Sequence, residues 1–312
     1  ISIISQLAAL PILLYRFYSI SILSLPLNLV FIPFISLFVL PLLFIAFFTS
    51  IFVPFLAAPL LSVLDFAIRL SHELLVNIDS LQWGMLVFGK PSLSIVFLLY
   101  VVIFYGFLKW EARIGKRRFV KPAIALVAVC LFQWVAPYLS ISGKVTMLDV
   151  GQGDSILIEL PHRKAVYLID TGGTLSFGKQ EWQKQNHGFE VGKDVVLQEL
   201  KARGIRKIDR LILTHGDQDH IGGASALLGH VRIKEILYGK GPIEKPSVRQ
   251  LLTNASHFGI RITRVGERMG WRVGDATFSI LNPTGSEAGN SSSIVIAARL
   301  GELRWLFTGD LE

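Results

Sequence analysis

The most informative absence in this chain is that of charge. From Phe17 to Leu64 the sequence contains no Asp, Glu, Lys, Arg or His, a run of 48 residues. A helix needs only about 20 apolar residues to cross a bilayer. The run is also far too long for the apolar core of a secretory signal peptide. The sequence therefore predicts an integral membrane protein.

Cysteine is nearly absent as well. Cys130 is the one cysteine, and it lies in an apolar segment. This excludes a disulfide within the chain and a zinc site built from cysteine ligands. The chain also lacks an initial Met, starts inside an apolar segment at Ile1 and stops at Glu312, so we expect it to be a piece of a longer protein.

Charge separates the chain into two unlike parts. Residues 1–139 hold 9 Lys or Arg and 4 Asp or Glu, whereas residues 140–312 hold 22 and 19. We therefore predict a polytopic transmembrane domain at residues 1–140 and a soluble domain at residues 141–312. The excess of three positive charges in the second part is only a weak argument for an anionic partner.

Apolar segments fit membrane helices at five places in the first part: residues 3–20, 22–47, 50–70, 92–108 and 122–139. Prolines interrupt the second and third of these segments. In a membrane, such prolines are typical of kinked packing helices or of a discontinuous, pore-lining region. The sequence leaves both alternatives open.

A basic run over residues 109–121 separates the last two apolar segments. It contains six Lys or Arg and one acidic residue, Glu111. By the positive-inside rule this short loop is cytoplasmic, so the soluble domain is expected outside the cytoplasmic membrane. A nucleic-acid contact is the alternative use of these charges.

The second part alternates short apolar runs with turns. Strands are predicted at 145–150, 155–160, 166–169 and 210–213, and a helix at 195–202. From residue 233 onward we expect strands to dominate. This alternation suggests two sheets, of mostly antiparallel strands, sandwiched by helices.

The densest cluster of chemically active side chains lies in residues 214–223, directly after an apolar strand. His215, Asp217, Asp219 and His220 fall within six positions there. Imidazole and carboxylate together suit zinc, manganese or iron better than calcium. A polar surface turn is the alternative, but the loop predicts a metal site.

Three further strand ends carry an acid beside glycine. They are residues 149–154, residues 170–173 and residues 308–310. Glycine lets the backbone turn sharply and approach a ligand closely. Each turn alone is common, but all three together with the metal loop predict one composite site.

This set of motifs resembles the metallo-β-lactamase superfamily. The segment Leu148–Asp154 resembles the branch attached to ComEC-type competence proteins, the bacterial DNA-uptake channels, and the proline-rich apolar half resembles their competence domain. The resemblance implies a multi-pass α-helical membrane domain followed by an α/β metallo-β-lactamase-like domain, an αββα sandwich.

The resemblance also implies two divalent metal ions, zinc or manganese. It assigns His215 to the first ion, Asp219 and His220 to the second, and Asp310 as the bridging carboxylate. Asp217 stands where the superfamily usually has a histidine, and it is expected to make the first site richer in oxygen. His215 and Asp219 are the expected catalytic residues, with Asp219 assisting deprotonation of the nucleophile.

Substrate contacts are expected from Asn290 and Ser293, which resemble the family's Asn-Asn-x-Ser motif, and from Asp154. For Asn290 and Ser293, capping of backbone groups is an equal alternative. For Asp154, a hydrogen bond within its own turn is the alternative.

The function implied is uptake of single-stranded DNA through the inner membrane during natural transformation, with a metal-dependent nuclease degrading the other strand. The implied partners are transported DNA, the lipid bilayer, other competence DNA-uptake proteins and further copies of the chain. The soluble domain would face the periplasm or the cell exterior.

Three alternatives remain open at the level of sequence. In the first, the soluble domain binds or guides DNA without cleaving it. In the second, it is purely structural. In the third, it is a membrane-tethered hydrolase of small esters or lactones. The hydrolase alternative needs an apolar substrate pocket, whereas the loop 174–190 is polar and carries Lys179 and Lys184.

Overall fold

A computed structural model describes residues 2–80, 84–111, 120–173, 189–240, 243, 245–282 and 289–311. The chain forms two compact units, Ile1–Val129 and Cys130–Glu312. The domain boundary after residue 140 stays a prediction.

The first unit is helical, which confirms the predicted multi-pass helical architecture. Its helices are α1 (Ser2–Phe17), α2 (Ser24–Phe34), α3 (Leu40–Phe52), α4 (Pro54–Ser80), α5 (Leu93–Glu111) and the start of α6 (Val120–Val135). Two three-residue strands, β1 (Ser19–Ser21) and β2 (Met85–Val87), pair antiparallel. Within the described residues, four segments are long and apolar enough to span a membrane: Ser24–Phe52, Pro54–Ile78, Leu93–Glu111 and Val120–Leu139.

The prolines distort the helices without breaking the first of these segments. Pro33 lies near the end of α2, and the chain passes through a π-helical turn, Ile35–Val39, directly into α3. A proline removes one backbone donor, and a π turn is one way to re-register the remaining hydrogen bonds. The helix ends at Phe52, and the backbone of Val53, the residue before Pro54, is non-helical. For Ser24–Phe52, the structure favours the kinked-helix alternative.

The second unit contains two principal sheets. The six-stranded sheet has the order β10-β9-β7-β5-β4-β3, and the four-stranded sheet has the order β11-β12-β13-β14. The strands of the first are β3 (Lys144–Met147), β4 (Ile156–Glu159), β5 (Val166–Ile169), β7 (Arg210–Leu213), β9 (Glu235–Gly239) and β10 (Arg261–Val265). Those of the second are β11 (Gly270–Val273), β12 (Ala276–Asn282), β13 (Val295–Leu300) and β14 (Leu303–Phe307). A separate parallel pair joins β6 (Lys207–Ile208) to β8 (Arg232–Ile233).

The six-stranded sheet contains both parallel and antiparallel strand pairs. Strands β5, β7, β9 and β10 run parallel, while β3, β4 and β5 pair antiparallel. The four-stranded sheet is antiparallel throughout. Since the carboxyl ends of parallel strands meet at one edge, the loops after β5 and β7 lie side by side.

Side-chain alternation along the strands builds two cores. Leu211 and Leu213 of β7 pack with the helices α7 (Leu197–Ala202) and α9 (Pro246–His257), whereas Ile212 between them packs against the four-stranded sheet. Among the described residues this gives three layers, with helix, sheet and sheet in that order. The predicted metallo-β-lactamase-like fold is confirmed.

Strands dominate after residue 233, as expected, but the sequence analysis missed one helix there, α9. This helix buries Val248, Leu251, Leu252 and Ala255, at spacings of three and four residues. That spacing is the signature of an amphipathic helix. Its polar residues lower the average hydropathy, so the signal is visible only as periodicity.

Candidate metal centre

The candidate metal centre lies at an edge where both sheets contribute. His215 follows the carboxyl end of β7, and His220 lies in the short helix α8 (Gln218–Ile221) of the same loop. Asp310 follows β14, the last strand of the other sheet. The loop after β5 supplies Asp170 beside them.

His215, His220 and Asp310 converge on one point. Their ligand atoms all lie within 4.8 Å of one another. The Nε2 atom of His220 is 3.2 Å from Oδ1 of Asp310, and Nε2 of His215 is 3.9 Å from Oδ2 of Asp310. Both imidazoles are buried, whereas Asp310 is partly exposed. The group therefore opens to solvent on the carboxylate side.

Asp170 orients His220. Its carboxylate is fully buried and its Oδ2 atom lies 2.9 Å from Nδ1 of His220. The backbone N–H of Thr214 donates to Oδ1 at 2.8 Å, and the Thr214 hydroxyl donates to Oδ2 at 2.5 Å. With the proton of His220 on Nδ1, its Nε2 atom faces the centre.

Thr214 orients His215 in the same sense. The hydroxyl proton of Thr214 is donated to Asp170, so its oxygen accepts from Nδ1–H of His215 at 3.1 Å. This leaves the lone pair of His215 on Nε2. A carboxylate or hydroxyl partner on the other ring nitrogen is the usual support for a metal-ligating histidine.

The two histidines differ in their electrostatics. Burial, followed by the proximity of His220, lowers the pKa of His215 and keeps its imidazole neutral. Burial also works to lower the pKa of His220, but the hydrogen bond and charge of Asp170, with a contribution from Asp310, raise it to about 9. A metal ion held by His220 would therefore have to displace a proton from its imidazole.

The donor set fits a divalent transition-metal ion. The Nε2 atom of His215 is buried and has no hydrogen-bond partner among the described residues. An unpaired buried acceptor is costly, and a metal ion satisfies it. Two imidazoles and a carboxylate are the ligands that zinc and manganese sites employ.

Asp217 lies at the rim of this group. Its Oδ1 atom is 3.7 Å from Nε2 of His215 and 2.5 Å from Nζ of Lys245. Partial burial opposes the shift, but the ion pair with Lys245 lowers the pKa of Asp217. Lys245 precedes α9 and was missed from the sequence, because nothing in the local pattern links it to a loop 28 residues away.

Asp219 and Asp154 lie outside the three-residue group. Asp219 is the second residue of α8, and its charge contributes to the raised pKa of His220. Asp154 is exposed, and its backbone oxygen accepts from the N–H of Gly172 at 2.9 Å. Its loop therefore adjoins the loop that carries Asp170.

The segment with Asn290 and Ser293 runs beside the metal loop. The N–H of Ile294 donates to the carbonyl of Thr214 at 2.9 Å, and the N–H of Ser293 donates to that of Asn290. The side chain of Ser293 is fully buried, and its hydroxyl has no partner among the described residues. The Ser293 hydroxyl therefore caps no backbone group among the described residues, and its role stays a prediction.

Asp170 and Thr214 belong to the site although the sequence named them only as parts of motifs. Their acid–glycine and strand-end positions were the signals available. The predicted polar loop with Lys179 and Lys184 falls mainly on residues 174–188, which lie outside the described residues.

Residues 148–312, which include every residue of this centre, match the metallo-beta-lactamase superfamily. The chain belongs to the metallo-β-lactamase superfamily. Its residues 1–113 match the competence protein family. The chain thus joins a competence-type membrane region to a metallo-β-lactamase domain, and the resemblance to ComEC-type proteins is confirmed.

Three curated relatives are similar to the chain, and the name of one of them refers to competence. The chain is 35% identical to ComE operon protein 3 of Bacillus subtilis over 318 aligned residues, which cover 100% of the chain and 40% of that protein. It is 31% identical to recombination protein 2 of Haemophilus influenzae, over 54% of the chain and 18% of the relative. It is 27% identical to competence protein ComA of Neisseria gonorrhoeae, over 54% of the chain and 20% of the relative. The chain therefore spans less than half the length of each.

Proposed function

We propose that this chain takes part in bacterial DNA uptake and that its metallo-β-lactamase domain is a metal-dependent nuclease. The observation that carries the nuclease assignment is the convergence of His215, His220 and Asp310, with Nε2 of His215 buried and unpaired. The role in uptake is supported by the competence-family match of the membrane region and by the name of one relative, competence protein ComA.

The roles of the residues follow from their placement. His215, His220 and Asp310 would hold a divalent ion, and Asp217 and Asp219, which belong to the same loop as the histidines, would serve a second one. When bound, the metal polarises a phosphoryl oxygen and lowers the pKa of the attacking water. Asp219 would take the proton from that water, and Asp170 and Thr214 would keep both imidazoles correctly oriented.

Substrate would enter from the exposed side of Asp310. Asn290 and Asp154 border the loops of the centre and are the proposed contacts for DNA, while Ser293 would support the backbone beside Thr214. Lys245, half exposed beside Asp217, adds a positive charge that suits a phosphodiester.

In the cell, the chain would lie in the cytoplasmic membrane with its nuclease domain on the outer side. One DNA strand would be degraded there while the other enters a channel formed with the membrane helices. Other competence proteins and further copies of the chain are the proposed partners.

A nuclease assay on the whole chain tests the catalytic proposal. With manganese or zinc and linear DNA, His215→Ala should lower the cleavage rate by about 100-fold or more, since it removes a metal ligand. His257→Ala removes an exposed histidine at the end of α9 and should leave the rate within about twofold.

Binding of DNA without metal-dependent cleavage by the folded wild-type chain would overturn the nuclease assignment. It would favour a domain that only guides DNA. Cleavage of lactones or esters in preference to DNA would instead favour the small-substrate hydrolase.

A further inference from the structure

A second groove lies at the opposite end of the strands from the metal centre. Arg210, Glu235 and Arg261 are the first residues of β7, β9 and β10, and all three line it. The metal loop follows the carboxyl end of β7. A four-residue strand is about 13 Å long, so the two sites occupy different ends of the domain.

The groove is basic. Its volume is about 440 Å³, and its charged lining consists of Lys164, Arg210, Lys234, Arg261 and Arg272 against Asp209 and Glu235. Five cations against two anions leave an excess of three positive charges. Clustered charge of one sign in a cleft attracts and concentrates counter-ions.

The acidic residues are already engaged by cations. Asp209 pairs with Lys207 at 2.7 Å and with Lys234 at 3.1 Å, and Glu235 pairs with Arg210 at 2.9 Å. Burial opposes the shift at both carboxyls, but these partners lower the pKa of Asp209 and of Glu235. Both carboxylates are therefore ionised at neutral pH and already paired with cations.

Some of the cations that line the groove are not paired with an acidic residue. Within the described part of the chain, Lys164 and Arg272 have no acidic partner, and Nε of Arg272 donates only to the carbonyl of Gly274. The guanidinium of Arg210 lies 4.3 Å from the centre of the Trp271 ring and keeps a buried Nη1 atom without a partner. The groove has unused donors for an anion.

The end of the last membrane-capable segment contacts this same end of the domain. Segment Val120–Leu139 ends in a 3₁₀ turn, and the Arg206 guanidinium lies 3.9 Å from the centre of the Trp134 ring. Arg206 also donates to the Trp134 carbonyl at 2.8 Å, and the N–H of His162 donates to the carbonyl of Ser140. These contacts all lie within Cys130–Glu312.

The residues that make this contact lie close in sequence to residues of the groove. His162 is two residues from Lys164, and Arg206 is next to Lys207, the partner of Asp209. Trp and Tyr at the end of a span are typical of the membrane–water interface, and Trp134 and Tyr138 hold these positions. Lipid phosphates lie within about 5–7 Å of the edge of the hydrocarbon core.

We propose that the groove binds the phosphate of an anionic phospholipid headgroup and thereby holds the domain against the membrane surface. Charge complementarity and the adjacent helix end favour a lipid over nucleic acid, because DNA at the metal centre would lie at the other end of the strands. Cations close to the membrane surface strengthen such binding by attracting the anionic lipids.

Thermal unfolding of the detergent-purified whole chain tests this proposal. Dihexanoyl phosphatidylglycerol should raise Tm by about 3 °C or more at saturation, and dihexanoyl phosphatidylcholine should not. The double variant Lys164→Gln/Arg272→Gln should lose more than half of that shift. Lys193→Gln/Arg249→Gln, which removes two exposed cations outside the groove, should keep it.

Each contrary result overturns the proposal. A full shift in the Lys164/Arg272 variant would place the lipid elsewhere, and an equal response to phosphatidylcholine would remove the charge argument. An equal shift with inorganic phosphate would assign the groove to free anions. A shift with oligothymidylate that the double variant abolishes would assign it to nucleic acid. None of these readouts depends on nuclease activity.

Discussion

Asp170 is the residue on which both imidazoles depend. It binds His220 directly and His215 through the hydroxyl of Thr214. Its backbone has a φ of +54°, in the left-handed region that non-glycine residues rarely adopt. Strain of this kind persists where the surrounding structure enforces it, and it is often found at functional sites.

Replacing Asp170 by asparagine should weaken metal binding by about 10- to 100-fold. The amide keeps the size of the side chain, but its NH₂ group faces a donor from Thr214 or His220 in place of an acceptor. Losing one of these buried hydrogen bonds should also cost about 1–3 kcal/mol of stability. Calorimetric titration with manganese and zinc measures the affinity, and circular dichroism verifies the fold.

Asp275→Asn is the matched control, since Asp275 is exposed in the turn between β11 and β12. It should bind metal as the wild type does. Equal affinity in the folded Asp170→Asn variant would show that His220 does not require this partner.

Two loops make the closest backbone approach near the centre. Gly153 has a φ of +70°, and a Cβ atom added there would lie 1.8 Å from the carbonyl oxygen of Asp219. Only glycine fits, so the loop after β3 rests directly on α8. Gly151, two residues earlier, has a φ of +80° but nothing within 4 Å of an added Cβ.

Gly153→Ala should therefore displace α8 and lower metal affinity, whereas Gly151→Ala should only destabilise. Both variants carry the left-handed strain of about 1–2 kcal/mol, but only the first collides with the backbone of a ligand-bearing helix. Unfolding curves and metal titrations on the pair separate the two effects. Identical metal affinities in both variants would contradict this account of the loop.

For the secondary-structure elements, the sequence predicted the strands better than the contacts between elements. Strand Arg210–Leu213 and the loop after it were predicted because an apolar run ended in a dense polar motif. Helix α9 was missed because its buried residues are diluted by polar ones. The pairing of Lys245 with Asp217 could not be predicted, because it arises from two elements brought together only by the packing of α9 on the sheet.

For the whole molecule, composition alone predicted a membrane part and a soluble part, because an uncharged apolar run of this length is typical of membrane-spanning helices. The sidedness of the soluble domain rests on the basic run at residues 109–121. Residues 112–119 of that run lie outside the described part of the chain, so topology stays a proposal with a direct test.

Cysteine labelling in spheroplasts measures the sidedness. In a Cys130→Ser background, Glu302→Cys in the exposed turn between β13 and β14 should react with a membrane-impermeant maleimide without permeabilisation. Gly115→Cys, in the basic run, should react only after permeabilisation. The reverse pattern would place the soluble domain in the cytoplasm.

The origin of the ligands in two different sheets has a thermodynamic consequence. His215 and His220 belong to the loop after β7, and Asp310 follows β14, so an ion shared by them ties one layer of the sandwich to the other. Such an ion acts as a reversible cross-link. At a free concentration of 100 times its Kd it adds about 2.7 kcal/mol to the free energy of unfolding. At low metal concentrations the domain would then be less stable as well as catalytically inactive.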